Sequence, residues 1–166
     1  ILFKKGFDYL RKIGCRSIGV IGFRNAFTIG VDVVSPEQEQ TKMLERGVND
    51  WRIGDNGLDS VEDIGYQIML RLIEQPERPD AIVVTDDEVS KGVLRAVLQR
   101  GISLPNDIKL ISYANRGVKL PYHLPVTRFE FDTKKAVHSA VEMMDRLLCG
   151  EKPEAPHVRI SPDFIL

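Results

Sequence analysis

Short apolar runs alternate along the chain with longer segments whose apolar positions recur every three or four residues. Ser17 to Phe23 (SIGVIGF), Asp80 to Thr85 (DAIVVT) and Ile108 to Tyr113 (IKLISY) are the runs. They are rich in β-branched residues and lack polar alternation, the pattern of strands covered on both faces, as in a parallel sheet. Thr127 to Phe131 and His157 to Ile160 are weaker strand segments, and Trp51 to Ile53 is a short one.

The helical segments carry start and stop signals. Ile1 to Ile13 gathers Leu2, Phe3, Phe7, Leu10 and Ile13 near one face and ends at Gly14. Ser35-Pro36-Glu37-Gln38 offers a capping Ser, Pro at the first helical position and Gln three residues after the cap, which predicts a helix to about Arg46 stopped by Gly47. Ser60 and Asp63 repeat that spacing ahead of Val61, Ile64, Ile68 and Leu72, and Pro76 ends the segment. Asp87 is the expected cap of a helix that buries Val89, Val93 and Val97 and stops at Gly101. Thr133 to Leu148 presents Ala136, Val137, Ala140, Val141, Met144, Leu147 and Leu148, a wide apolar face. Strand and helix alternate for most of the chain. This predicts an α/β fold, a three-layer α/β/α sandwich around a mostly parallel sheet built from right-handed β-α-β units. Asn115 to Pro125, with Gly117, Pro121 and Pro125, is the least regular stretch and suits an exposed crossover or a boundary between lobes.

Composition narrows the choice of function. The chain has 166 residues, 43% hydrophobic and 28% charged, which is ordinary globular usage. Its 23 Lys plus Arg against 24 Asp plus Glu leave a net charge of −1, without the basic footprint by which a domain grips nucleic acid on its own. Two cysteines, Cys15 and Cys149, make no disulfide framework. No apolar run approaches the ~20 residues that span a membrane, and no signal peptide is visible.

In an open α/β sheet, ligands bind outside the carboxyl ends of the strands. That rule selects four loops: Gly22 to Thr28, Asp55 to Ser60, Asp86-Asp87, and Tyr113 to Gly117. They supply Arg24, Asn25, Asp55, Asn56, Asp59, Asp86, Asp87, Asn115 and Arg116, carboxylates and amides able to bond the hydroxyls of a small polar molecule. Each has a plainer reading. Asp86, Asp87, Asp59 and Ser60 can cap helices, Asp55-Asn56-Gly57 can be a turn, Asn115 can bond its own backbone, and Arg24 and Asn25 can be solvated. Enzymatic signals are weak. Gly19 and Gly22 do not form a dinucleotide fingerprint, no phosphate-binding P-loop occurs, and His123, His138 and His157 are scattered. No His or Cys spacing suits zinc, and Asp55 to Asp59 fails the calcium-loop spacing. No cofactor is expected.

The second half of the chain resembles the LacI/GalR family of bacterial transcriptional regulators. The resemblance runs through Pro79-Asp80-Ala81-Ile82, Thr85-Asp86-Asp87, Gly92-Val93-Leu94-Arg95-Ala96 and Arg100-Gly101-Ile102-Ser103-Leu104-Pro105-Asn106-Asp107-Ile108 to Tyr113. Leu124-Pro125-Val126-Thr127 and Leu147-Leu148-Cys149-Gly150 match the closing pattern, and Gly6-Phe7-Asp8-Tyr9-Leu10 with Gly14-Cys15-Arg16-Ser17-Ile18 the opening of the second lobe. Phe23 to Gly65 is poorly matched.

The resemblance implies a periplasmic-binding-protein-like effector domain whose second lobe spans residues 1–115, a crossover and helix over 116–150, and a return strand over 151–166. It also implies a first lobe and a helix-turn-helix DNA-binding domain upstream of Ile1. The helix Thr133 to Leu148 would pack on that first lobe, so a partner chain or a relocated helix is expected to cover its apolar face. The implied function is ligand sensing without bond-making, in the cytoplasm. A small sugar-like or purine-like effector binds between the lobes of a homodimer and controls its hold on operator DNA. The dimer contact would use the helix from Glu88 to Arg100, where Lys91 is a departure. Asp86 falls at the family's ligand-facing Asn or Asp. Asn115 lies just beyond its key acidic position, which is Ala114 here. The stacking aromatic falls at Asn56, and Glu45-Arg46-Gly47-Val48 is a displaced version of the family's Arg motif. The candidate ligand residues are therefore Asp86, Asn115, Asn56, Arg24 and Asn25, and the effector either differs from a simple sugar or meets a drifted pocket. The alternatives are a free solute-binding protein of the same fold and a small α/β enzyme, which would need an acid–base pair in one cleft.

Overall fold

The structure is a computed structural model that describes residues 2–21, 60–76, 78–151, 157–158 and 160–165. In chain order the elements are α1 (Leu2–Lys12), β1 (Ile18–Ile21), α2 (Val61–Ile73), β2 (Ala81–Val84), α3 (Asp87–Gln99), β3 (Lys109–Asn115), β4 (Thr127–Phe131), α4 (Thr133–Leu148) and β5 (Asp163–Ile165). The strands form one sheet in the order β1-β2-β3-β4-β5. The first four run parallel and β5 returns antiparallel to β4. This is the mostly parallel sheet the apolar runs predict. The expected segments Ser35 to Arg46 and Trp51 to Ile53 lie outside the described residues.

All residues of β1 and β2 are buried, because helices cover both faces. On one side α2 and α3 pack Ile68, Met69, Val89, Val93 and Val97 onto Ile21, Ile82, Val84 and Leu110. On the other, α1 sets Leu10 against Val20, Val83, Ile111, Tyr113 and Phe129. Tyr113 stacks on Phe129 with ring centroids 5.0 Å apart, and burial pushes its phenol well above the usual range.

The family-like motifs have visible jobs. The Asp80 carboxylate accepts from the backbone N–H groups of Arg16 (2.6 Å) and Ser17 (3.0 Å), pinning the starts of β1 and β2 together. Those two N–H groups hold its carboxyl below the usual range. Asp107 accepts from Ser103 N–H at 2.7 Å, which closes the Leu-Pro-Asn-Asp loop ahead of β3. Gly92 and Gly65 let α3 and α2 touch backbone to backbone. A Cβ at Gly92 would lie 1.8 Å from the Glu62 carbonyl oxygen, and one at Gly65 2.4 Å from that of Val89. Arg95 spans the same seam, 3.1 Å from Glu62 and 2.7 Å from Asp63, with its guanidinium 4.3 Å from the Tyr66 ring centre.

Three expectations are corrected. The cap of α3 is Asp86 rather than Asp87: its carboxylate accepts from Glu88 and Val89 N–H, since its extended backbone places the side chain over the first turn. The return strand is Asp163–Ile165, not His157 to Ile160, because the register that pairs Arg128 with Ile165 and Glu130 with Asp163 starts at Asp163. Among the described residues, no other helix is laid over the apolar face of α4. None of its described residues is buried. Val137, Val141, Met144, Leu147 and Leu148 are 49–79% exposed.

Candidate functional site

The parallel strands all point their carboxyl ends to one edge of the sheet, and a set of polar residues stands there. β2 delivers Thr85, Asp86 and Asp87; β3 delivers Asn115 and Arg116; β4 delivers Asp132; and the antiparallel β5 begins there with Asp163. Of the candidates chosen from sequence, Asp86 and Asn115 reach this edge. Arg24, Asn25 and Asn56 lie outside the described residues.

Asp86 spends one carboxylate oxygen on the α3 cap, at 2.9 Å from Glu88 N and 3.2 Å from Val89 N. Its carbonyl accepts from the Ser90 hydroxyl at 2.8 Å. Ser90 in turn meets Ser112 at 2.7 Å in the buried interior. Ser112 lies within β3, so this hydroxyl pair ties the base of the edge to that strand. Asp87 reaches across to the backbone N–H of Asn115 at 3.5 Å. Asn115 itself is exposed, the last residue of β3.

Arg116 is the organising charge. Its guanidinium donates to Asp132 at 2.5 Å and also pairs with Asp163, while its backbone N–H donates to the Phe131 carbonyl at 2.7 Å. One cation thus holds the end of β3, the cap of α4 and the first residue of β5. Asp132 accepts from Lys135 N–H at 3.1 Å. That bond, with the Arg116 charge, keeps its carboxyl below the usual range. Sequence reasoning missed Asp132 and Asp163, although an Asp directly before the helix of Thr133 to Leu148 is itself a capping signal. It also missed Thr85, whose Oγ1 is buried with no hydrogen-bond partner among the described residues.

The edge offers carboxylates, an amide and an unused hydroxyl. Such a set binds and orients polar molecules. Among the described residues no group of three His, Cys, Asp or Glu side chains could hold a metal ion.

A periplasmic-binding-protein-like sheet with its polar groups gathered at one edge is the class this geometry defines. Residues 7–166 match the family model of the periplasmic binding protein-like domain, and the chain belongs to that family. Among curated relatives, the chain is 24% identical over 148 residues to the HTH-type transcriptional regulator GalR of Streptococcus thermophilus, covering 87% of this chain and 44% of that protein. It is 29% identical over 147 residues to the HTH-type transcriptional regulator GanR of Bacillus subtilis, covering 85% and 44%. It is 23% identical over 159 residues to the HTH-type transcriptional repressor PurR of Histophilus somni, covering 95% and 47%. The chain thus spans less than half the length of these relatives. Among solved structures it shares the fold of a LacI transcriptional regulator from a Rhodococcus species (TM-score 0.68, 21% identity, 99% of this chain and 59% of that one). A LacI family regulator from Clostridium acetobutylicum superposes with a TM-score of 0.71 at 16% identity, over 99% and 61%.

Proposed function

We propose that this chain is the ligand-sensing portion of a LacI-type transcriptional regulator. Residues 1–115 form the second lobe, 116–150 the crossover and its helix, and 151–166 the return strand. A sugar-like or purine-like effector binds over the carboxyl edge, against Asp86 and Asn115, with Arg24, Asn25 and Asn56, which lie outside the described residues, as further contacts. A first lobe closes the other side. No bond is made or broken. The effector favours one lobe arrangement by its difference in affinity for the two, and a homodimer passes that preference to DNA-reading heads on an N-terminal domain. The setting is cytoplasmic.

The observation that carries this reading is the bare stripe of α4 directly beyond the polar edge. Burying each of its large side chains contributes ~1.5–3 kcal/mol, so the first lobe seated there gains a hydrophobic contact and encloses the edge in one step. The relatives, transcriptional regulators and a repressor, support the same reading.

The test is a thermal-shift screen of sugars and purines on the full-length protein, followed by operator binding with and without each hit. A ligand at a hundredfold excess over its Kd stabilises the folded state by about 2.7 kcal/mol. At least one compound is expected to raise the unfolding temperature and to change operator affinity, and Asn115→Ala is expected to weaken both effects. A hit that leaves operator affinity unchanged would remove the regulatory reading. Measurable turnover of a hit would remove the non-catalytic one.

A further inference from the structure

The Arg116 clamp sits where the chain leaves the sheet and where it comes back. The last residue of β4 is Phe131, and the next, Asp132, caps α4. The chain returns at Asp163, the first residue of β5. Both points meet one guanidinium, carried on the turn after β3, beside Asn115.

Neither element needs the clamp in order to form. Asp132 caps α4 by accepting from the Lys135 N–H at 3.1 Å, with the carboxylate oxygen that Arg116 does not use. β5 is held by its pairing with β4 and by the burial of Pro162. The Phe164 ring adds contacts at 4.8 Å to each of Tyr9 and Phe129. The direction of α4 is a different matter. None of its described residues is buried, so packing among the described residues does not fix where it points. Among those residues, Arg116–Asp132 is the one ion pair that ties the α4 cap to the sheet.

The two arms of the clamp differ. The Asp132 side chain is 15% exposed and that of Asp163 54%. Water screens the second pair more strongly, and exposed pairs contribute little, so the Asp163 arm is the one that releases first.

We infer that Arg116 is a hinge latch: it fixes the angle at which α4 leaves the sheet, and release of its Asp163 arm lets that angle change. The latch depends on the reading proposed above, in which α4 carries the first lobe. The same angle then sets how that lobe stands over the carboxyl edge. Arg116, one residue beyond Asn115, is thus a positioning residue rather than an effector contact.

Double electron–electron resonance on the ligand-free full-length protein tests this. Spin labels are placed at Lys12→Cys on α1 and Asp145→Cys on α4, both exposed sites, with the exposed Cys149 changed to Ser. Arg116→Gln is expected roughly to double the width of the distance distribution, because a wider set of lobe angles becomes populated. The parent is expected to move toward that width in ~1 M salt, which screens the exposed arm. Asp163→Asn, which removes only that arm, is expected to fall between the two. So is Arg116→Lys, because an ammonium lacks the fork that meets two carboxylates. The thermal midpoint of each variant is expected to stay within about 3 °C of the parent, which separates positioning from a merely structural role. A parent-like distribution in Arg116→Gln or in Asp163→Asn would overturn the latch, and so would broadening that comes only with a large fall in midpoint. Hydrogen exchange in the full-length parent reads the underlying proposal separately. Residues 137–148 are expected to be protected by the first lobe. If they exchange as a free helix, that lobe is not seated on α4, and the reading falls together with the latch.

Discussion

Thr85 shows how one atom can carry information. Its backbone N–H donates to the Ile21 carbonyl at 2.9 Å, continuing the ladder past the end of β2, yet its hydroxyl is buried without a partner among the described residues. A buried unsatisfied hydroxyl carries a desolvation penalty that an apolar group of the same shape does not. Thr85→Val is therefore expected to stabilise the ligand-free protein by about 1 kcal/mol, read as a higher urea midpoint with an unchanged denaturant slope. A loss of stability would mean that the hydroxyl is satisfied in solution. Residue identity made Asp86 and Asn115 legible as edge residues in advance. It favoured Asp87 over Asp86 as the cap of α3, although two adjacent carboxylates before a helix can each cap it. Backbone geometry decides which one does.

At the scale of elements, the α2–α3 pair depends on two glycines that sequence patterning treats as incidental. The Cβ added by Gly92→Ala would meet the Glu62 carbonyl oxygen at 1.8 Å and the Tyr66 nitrogen at 2.6 Å. Both are backbone atoms and cannot swing away, so the helices must separate. Overpacking of this kind costs about 3 kcal/mol at the upper end of its usual range. Denaturation of Gly92→Ala is expected to show a loss of that order, and a loss under about 1 kcal/mol would mean that the helices do not meet this closely. The helix of Thr133 to Leu148 raises the opposite case, since its apolar stripe touches no core. Val141→Asp is expected to leave the stability of this chain within about 0.5 kcal/mol of the parent, while disrupting the effector response of the full-length protein. A large destabilisation of the chain alone would show that the stripe is already packed.

At the scale of the whole molecule, three carboxylates among the described residues stitch elements together while ionised. Asp63 is lowered chiefly by its hydrogen bond to Arg95, Asp80 by the Ser17 and Arg16 N–H groups, and Asp132 by the Lys135 N–H. A folded-state pKa below the unfolded value means that the unfolded chain takes up protons first as pH falls. Their stabilisation is fully present above about pH 4, the unfolded carboxylate range, and is lost as pH drops through the lower folded values. Stability measured by denaturant titration is expected to be flat from pH 7 to 5 on account of these groups and to fall below pH 4. Asp80→Asn is expected to flatten part of that acid limb, and an unchanged limb in that variant would show that Asp80 does not contribute.

Sequence by itself determined the elements and their class. Periodicity and capping chemistry are local, so α1, α2, α3, β4 and α4 could be read within a residue or two, and uninterrupted β-branched runs require a sheet covered on both sides. The same locality marked the carboxyl edge as the place for polar chemistry. Only the tertiary structure decided what depends on distant residues meeting. The register that starts β5 at Asp163, the Arg116 clamp on Asp132 and Asp163, and the backbone contact at Gly92 each join positions many residues apart, and the contacts that select them form only when the sheet and its helices assemble.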